Sequence, residues 1–207
     1  MPPTSKGSRW AMITCAKAAT PLLIVAAFLP SRSAPAESLP FKSIDTDRSK
    51  MAIRVFKAGL FSAFGHEHEI AVPIQQGSFN EEQPAVELSV DARQLRVMDR
   101  DISDKDRTEI QSTMLGPKVL DSERFPEIHF HSTQIDRLAA GKWIVHGELT
   151  IRGQTREVKT ELEGQAGRYR GSTELRQKDF GITPVTVGAG TVKVKNEIRI
   201  DFEIVAK

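Results

Sequence analysis

The amino-acid sequence predicts an all-β protein: an antiparallel barrel with an apolar interior and a single helix on its surface. Three observations predict it. The C-terminal segment alternates apolar and polar residues with a period of two, about eight segments of that period follow one another between turn residues, and one stretch alone changes to helical spacing.

From Thr191 to Ala206 the even positions are Val192, Val194, Asn196, Ile198, Ile200, Phe202, Ile204 and Ala206. The odd positions are Lys193, Lys195, Glu197, Arg199, Asp201, Glu203 and Val205. Successive side chains of a strand point to opposite faces, so this segment has one dry and one wet face, interrupted only at Asn196 and Val205. At about 3.3 Å per residue it would extend roughly 50 Å if straight, beyond the usual strand of about 3–10 residues, and a bend, coil or break is expected within it. A transmembrane barrel would need apolar residues on its outer face. The wet odd face therefore predicts a barrel in water with the even face inside.

The other elements follow in order. Met51, Ile53 and Val55 predict a first strand; Ile70, Val72 and Ile74 resume the period after an irregular stretch from Gly59 to Gly65, read as a short helix or wide turn. Gly77 and the run Asn80 to Pro84 read as a turn before a strand carrying Val86, Leu88 and Val90. Ser103, with Asp106 three positions on, has the form of a helix cap; Ile110 and Met114 supply an apolar face, and Gly116-Pro117 ends the helix after about three turns. That helix is expected to cover one side or end of the barrel. Strands are then expected from Glu127 to Ile135, Trp143 to Ile151, Thr155 to Leu162 and Arg168 to Leu175, with Arg152-Gly153-Gln154 turning one hairpin. Gly181, Pro184, Gly188 and Gly190 punctuate the loop before the last strand.

Composition narrows the function. The 207 residues hold 29 Lys plus Arg against 27 Asp plus Glu, a balance that argues against nucleic acid as a partner. Residues 1–36 carry Lys6, Arg9, Lys17 and Arg32 but no acid, an apolar run from Pro21 to Leu29, and then Ala34-Pro35-Ala36. This is the order of a secretory signal peptide, and the run is too short for the ~20 apolar residues of a spanning helix. The expected organisation is a signal peptide, 1–36, and one barrel domain, 37–207, with no integral membrane segment in the mature chain. Cys15 is the single cysteine and falls in the signal, so the exported domain is expected to use neither disulfides nor thiolate chemistry.

Several motifs then carry a resemblance. Asp99-Arg100-Asp101 and the helix after it, Phe125-Pro126-Glu127-Ile128-His129-Phe130-His131-Ser132-Thr133, Gly147-Glu148-Leu149-Thr150-Ile151-Arg152-Gly153 and Asp179-Phe180-Gly181-Ile182 resemble, in order and spacing, the YceI family of periplasmic polyisoprenoid-binding proteins. The resemblance covers essentially the whole mature chain. It implies an extended, eight-stranded, lipocalin-like antiparallel barrel whose tunnel holds an isoprenoid-type lipid, a polyprenol or prenyl quinone, in a periplasmic binding protein that is not an enzyme and needs no cofactor. Eight strands leave an interior just wide enough to fill with side chains or to hold one ligand. The expected lining is Phe130, Trp143, Leu149, Phe180, Val192, Val194, Ile198, Ile200 and Phe202. A homodimer is compatible with the sequence, but nothing requires one.

Four of the five histidines form two His-x-His pairs, His66 with His68 and His129 with His131. On a strand this spacing puts both imidazoles of a pair on one face, so two neighbouring strands could present four nitrogen ligands to a metal such as zinc or copper. A metal-binding exported protein is therefore the alternative function. The plainer reading is hydrogen-bonded or exposed imidazoles, with His129 and His131 outward if Ile128 and Phe130 face the lumen. Asp179-Phe180-Gly181 lacks the glycine-rich loop and H-R-D segment that accompany it in kinases, and is read as a loop that tucks Phe180 into the barrel mouth.

Overall fold

The structure, a computed structural model, describes residues 41–58, 67–82, 84–187 and 192–207. The signal-peptide reading of residues 1–36, the irregular stretch from Gly59 to Gly65 and His66 lie outside the described residues.

Among those residues, twelve strands form one antiparallel sheet: β1 (Lys42–Ser43), β2 (Lys50–Ala58), β3 (His68–Ala71), β4 (Gln76–Asn80), β5 (Ala85–Asp91), β6 (Arg96–Val97), β7 (Glu127–Ala139), β8 (Lys142–Ile151), β9 (Gln154–Gln165), β10 (Arg168–Arg176), β11 (Thr186–Val187) and β12 (Val192–Val205). Their spatial order is β1-β4-β5-β7-β8-β9-β10-β12-β2-β3-β6, with β11 on β12. The sheet curls strongly into a lipocalin-like half-barrel. Its β1 edge reaches the far end of β12, where Ile44 bridges Ala206, the Asp45 N–H donates to the Val205 carbonyl at 2.7 Å and the Lys207 N–H donates to the Ser43 carbonyl at 2.9 Å.

The expected count of eight strands is corrected to twelve. Strands β1, β6 and β11 have two residues each, too few to show a period. Strand β4 was expected as a turn because of Gly77 and Asn80, yet Phe79 within it is buried against Ile44 and Ile74. Gly77 is there for close approach: a Cβ at that position would lie 2.5 Å from Ile44 Cδ1.

The long strand breaks where its alternation does. On β2, Lys57 pairs with Val194 and Val55 with Ile198, so β12 advances four residues while β2 advances two. This bulge contains Asn196, whose Oδ1 accepts the Lys178 N–H at 3.0 Å. The other exception, Val205, is 5% exposed, and its backbone N–H donates to Ser49 Oγ.

Helix α1 (Asp104–Leu115) begins at Ser103, whose Oγ accepts the Asp106 N–H at 3.1 Å, and ends at Gly116. Its Met114 and Ile110 pack against Ile70, Val72, Val90, Leu95 and Val97, closing one end of the curled sheet. The β8–β9 hairpin turns on Arg152 and Gly153, with φ of 50° and 69°; two left-handed residues are what a two-residue type I′ turn requires. The Arg152 guanidinium then donates to the carbonyls of Gly181 and Pro117, tying this turn to the loops on either side.

Candidate functional site

The interior of the curled sheet is hollow. A cavity of about 210 Å³ lies against β2, β4, β5, β7, β8, β9, β10 and β12. A cavity of roughly 150 Å³ in a protein core suffices to hold benzene. Period two builds its wall: Val86, Leu88 and Val90 on β5, Ile128 and Phe130 on β7, Trp143, Val145, Leu149 and Ile151 on β8, and Ile200, Phe202 and Ile204 on β12 all face it.

Two aromatic rings lie back onto glycines instead of filling the space. A Cβ at Gly147 would fall 2.5 Å from the Phe130 ring, and one at Gly171 would fall 2.8 Å from Phe202 Cζ. Each ring therefore occupies room that a side chain on the neighbouring strand would otherwise take.

The strand register defines two ends. At the Ile151 end, α1 and the 3₁₀ turn Gln177–Phe180 close the sheet, and Phe180, Ile182 and Leu175 form a compact cluster with Leu149 and Ile151. At the end of the β7–β8 and β9–β10 tips stand Trp143, Leu162, Tyr169, Phe79, Pro84 and Glu81. A polar cluster stands beside this second end. The Glu81 carboxylate, partly exposed to solvent, accepts from Tyr169 Oη at 2.5 Å, Lys42 Nζ at 2.7 Å and the Gly167 N–H at 3.2 Å. The Lys42 and Tyr169 hydrogen bonds hold the Glu81 carboxyl below the ordinary carboxylate range. Burial first, and then Glu81, push the Tyr169 phenol up, so its hydroxyl stays protonated and donating.

Between the two ends, β9 and β10 pair from Gln165 with Arg168 as far as Glu161 with Ser172. Just beyond, Thr160 Oγ1 donates to the Ser172 carbonyl and Thr173 Oγ1 donates to the Lys159 carbonyl. Both threonines also line the cavity.

Of the residues expected in the lining, Phe130, Trp143, Leu149, Ile200 and Phe202 surround this cavity. Phe180 and Ile198 belong instead to the cluster at the Ile151 end: the 3₁₀ turn aims Phe180 into that closed end, away from the tips. Val194 is half-buried beside the β12 bulge and is not part of the wall, and Val192 pairs through its backbone with Val187. No motif or period in the sequence marks Glu81 or Tyr169. Glu81 sits in a stretch read as a turn, and the single tyrosine lies in a strand whose alternation Gly171 and Ser172 obscure.

Of the two histidine pairs, His66 lies outside the described residues, and the His129 and His131 rings stand with centroids 6.0 Å apart. His68 Nδ1 is hydrogen-bonded to Asp99 Oδ2 at 2.5 Å, and Asp99 Oδ1 also accepts the Glu69 N–H. Because Ile128 and Phe130 face the cavity, His129 and His131 face outward; His131 Nε2 lies 3.5 Å from Glu148 Oε2. Among the described residues no group of three or more His, Cys, Asp or Glu side chains is placed to hold a metal ion.

A curled antiparallel sheet around an apolar hollow, with a helix over one end, defines a lipocalin-like binding fold. Residues 42–206 match the YceI-like domain, and the chain belongs to that family, one of lipid- and isoprenoid-binding proteins that are typically periplasmic. A UPF0312 protein of Vibrio cholerae, present in three strains, is 28% identical over 108 residues, which are 47% of this chain and 53% of the relative. The chain thus spans about half the length of the curated relatives it matches. Among solved structures, Burkholderia cenocepacia BcnA superposes with a TM-score of 0.61 at 19% identity, covering 79% of this chain and 99% of that one. A Campylobacter jejuni YceI protein superposes with a TM-score of 0.50 at 12% identity, over 67% and 81% of the two chains. At these identities the likeness is one of fold. No helix among the described residues is long and apolar enough to cross a membrane.

Proposed function

We propose that this protein is an exported, non-enzymatic binding protein that sequesters or carries an isoprenoid-type lipid in its cavity. The observation that carries the reading is the hollow itself, walled by aliphatic and aromatic side chains from Ile151 to Trp143. A slender apolar chain gains free energy from such a wall without a charged anchor. At about 25 cal/mol per Å², removing roughly 400 Å² of prenyl surface from water supplies ~10 kcal/mol before the costs of ordering.

Native mass spectrometry of the protein purified from its host tests this. The expected result is a bound species with the mass of a polyprenol or prenyl quinone. A protein that emerges empty and takes up neither lipid from solution would overturn the reading.

A further inference from the structure

Resting on that reading, we propose that the tip of the β7–β8 hairpin is a docking point for an anionic lipid bilayer, where the protein meets the membrane that supplies or receives its ligand.

The tip is composed unlike a turn that only faces water. Arg137, Leu138, Ala139, Ala140 and Lys142 are all exposed, Leu138 by 57%. Turns favour Gly, Pro, Asn, Asp and Ser, and of these the tip has only Gly141. Three consecutive apolar residues left in water at such a place signify a contact. The neighbouring hairpins have no such run: Arg152-Gly153 joins β8 to β9, and Ala166-Gly167 joins β9 to β10.

Charge selects the occupant. The Arg137 guanidinium lies over the Trp143 ring, 5.4 Å from its centroid. Among the described residues neither Arg137 nor Lys142 makes an ion pair, although acids stand close by. Glu163, opposite Lys142 on β9, is paired with Arg170 at 2.6 Å. Asp136 follows the cavity-lining Ile135 and so faces outward, where it lies 3.3 Å from His146. An apolar point between two unmatched cations fits a surface that is negative above and apolar below. Leu138 and the alanines enter the acyl boundary while the cations stay among the phosphates. Position agrees, because Ile135 on the same strand and Trp143 next to Lys142 both line the cavity. A chain that leaves the bilayer beside Leu138 meets the cavity wall at once.

The test is co-sedimentation of the protein purified from its host with vesicles of phosphatidylcholine, alone or mixed with phosphatidylglycerol. The mixed vesicles should bind it about tenfold more tightly, and added salt should erase the difference. Lys142→Gln should weaken binding to mixed vesicles about fivefold, the share of one cation at an anionic surface, and Leu138→Ser about tenfold. Met98→Ser, at an exposed apolar residue just after β6, should change nothing. Unchanged binding in both tip variants, a loss in Met98→Ser equal to that in Leu138→Ser, or no binding to either vesicle overturns the docking point. Self-association that Leu138→Ser abolishes, without vesicle binding, assigns the tip to a second copy of the chain and overturns it as well. None of these outcomes touches the lipid reading, which native mass spectrometry decides separately.

Discussion

The Phe130 ring on β7 rests on Gly147 of β8, so close that a Cβ at Gly147 would lie 2.5 Å from the ring and 2.5 Å from the His131 carbonyl oxygen. Phe202 on β12 repeats the arrangement over Gly171 of β10, its direct cross-strand partner. Aromatic side chains commonly shield glycines in sheets. Here the same contact keeps two large rings against the wall.

Gly147→Ala should therefore be costly although it adds only one methyl group. Phe130 would have to swing into the cavity, and the backbone contact with the His131 carbonyl would force the strands apart. The expected loss is about 1–3 kcal/mol, the range for overpacking a close-fitted core. Denaturant unfolding of the variant checks it, and an unchanged midpoint would show that the ring moves freely.

Filling the hollow should separate binding from folding. Ile200 lies on the cavity wall at mid-strand, and Ile200→Trp would project an indole into the cavity. Lipid uptake should fall by tenfold or more while the β-sheet circular dichroism spectrum is kept. Undiminished uptake would place the ligand elsewhere.

Ser103 caps α1 through the Asp106 N–H, and its hydroxyl donates back to the Asp106 carboxylate at 2.8 Å. Ser103→Ala should cost about 1 kcal/mol. For a domain of this size that lowers the melting temperature by about 2–4 °C. Because the lost bond lies in the first turn, hydrogen exchange should quicken first at Asp106 and Arg107, ahead of the core-packed Ile110 to Leu115.

The Glu81–Tyr169 pair should leave its mark at both ends of the pH scale. Glu81 is held below its ordinary value of 4.5, so its contribution to stability is present above that value and is lost as pH falls through the folded-state value. Tyr169 is held above its ordinary value of 10.0, so its contribution is complete below pH 10 and is lost as pH rises toward the folded-state value. In melting curves across pH, Glu81→Gln should shrink the loss of stability on acidification, and Tyr169→Phe should shrink the loss above pH 10. Asp91, held down by Arg93, preserves part of the acid limb in both variants. Identical pH profiles in wild type and variants would remove any energetic role for the pair.

Much of the fold was legible because a strand alternates whatever surrounds it. The two faces of β12 follow from its period, and both of its irregular residues mark real features: Asn196 lies in the bulge and Val205 is buried where the chain returns past Ser49. The Arg152-Gly153 turn and the Ser103 cap were equally readable, since each depends on residues within a few positions of one another. Local geometry alone sets them.

Where segments distant in sequence meet was not legible. Gly77 and Asn80 read as a turn until Ile44, just beyond β1, needs the space beside Gly77. Phe180 is expected in the barrel mouth, yet it enters the closed end, because the partners that receive it, Leu149, Ile151 and Leu175, come from other strands. Tyr169 and Glu81 lie 88 residues apart, and no periodicity joins them.

The sequence by itself determined which side chains are dry, because alternation along a strand is a property of the backbone. Only the tertiary structure decided where those dry side chains stop short of one another and leave a hollow, and which polar groups stand at its end. That depends on how far the sheet curls and on which glycine each aromatic ring meets, and both are set by contacts between strands that the chain order keeps apart.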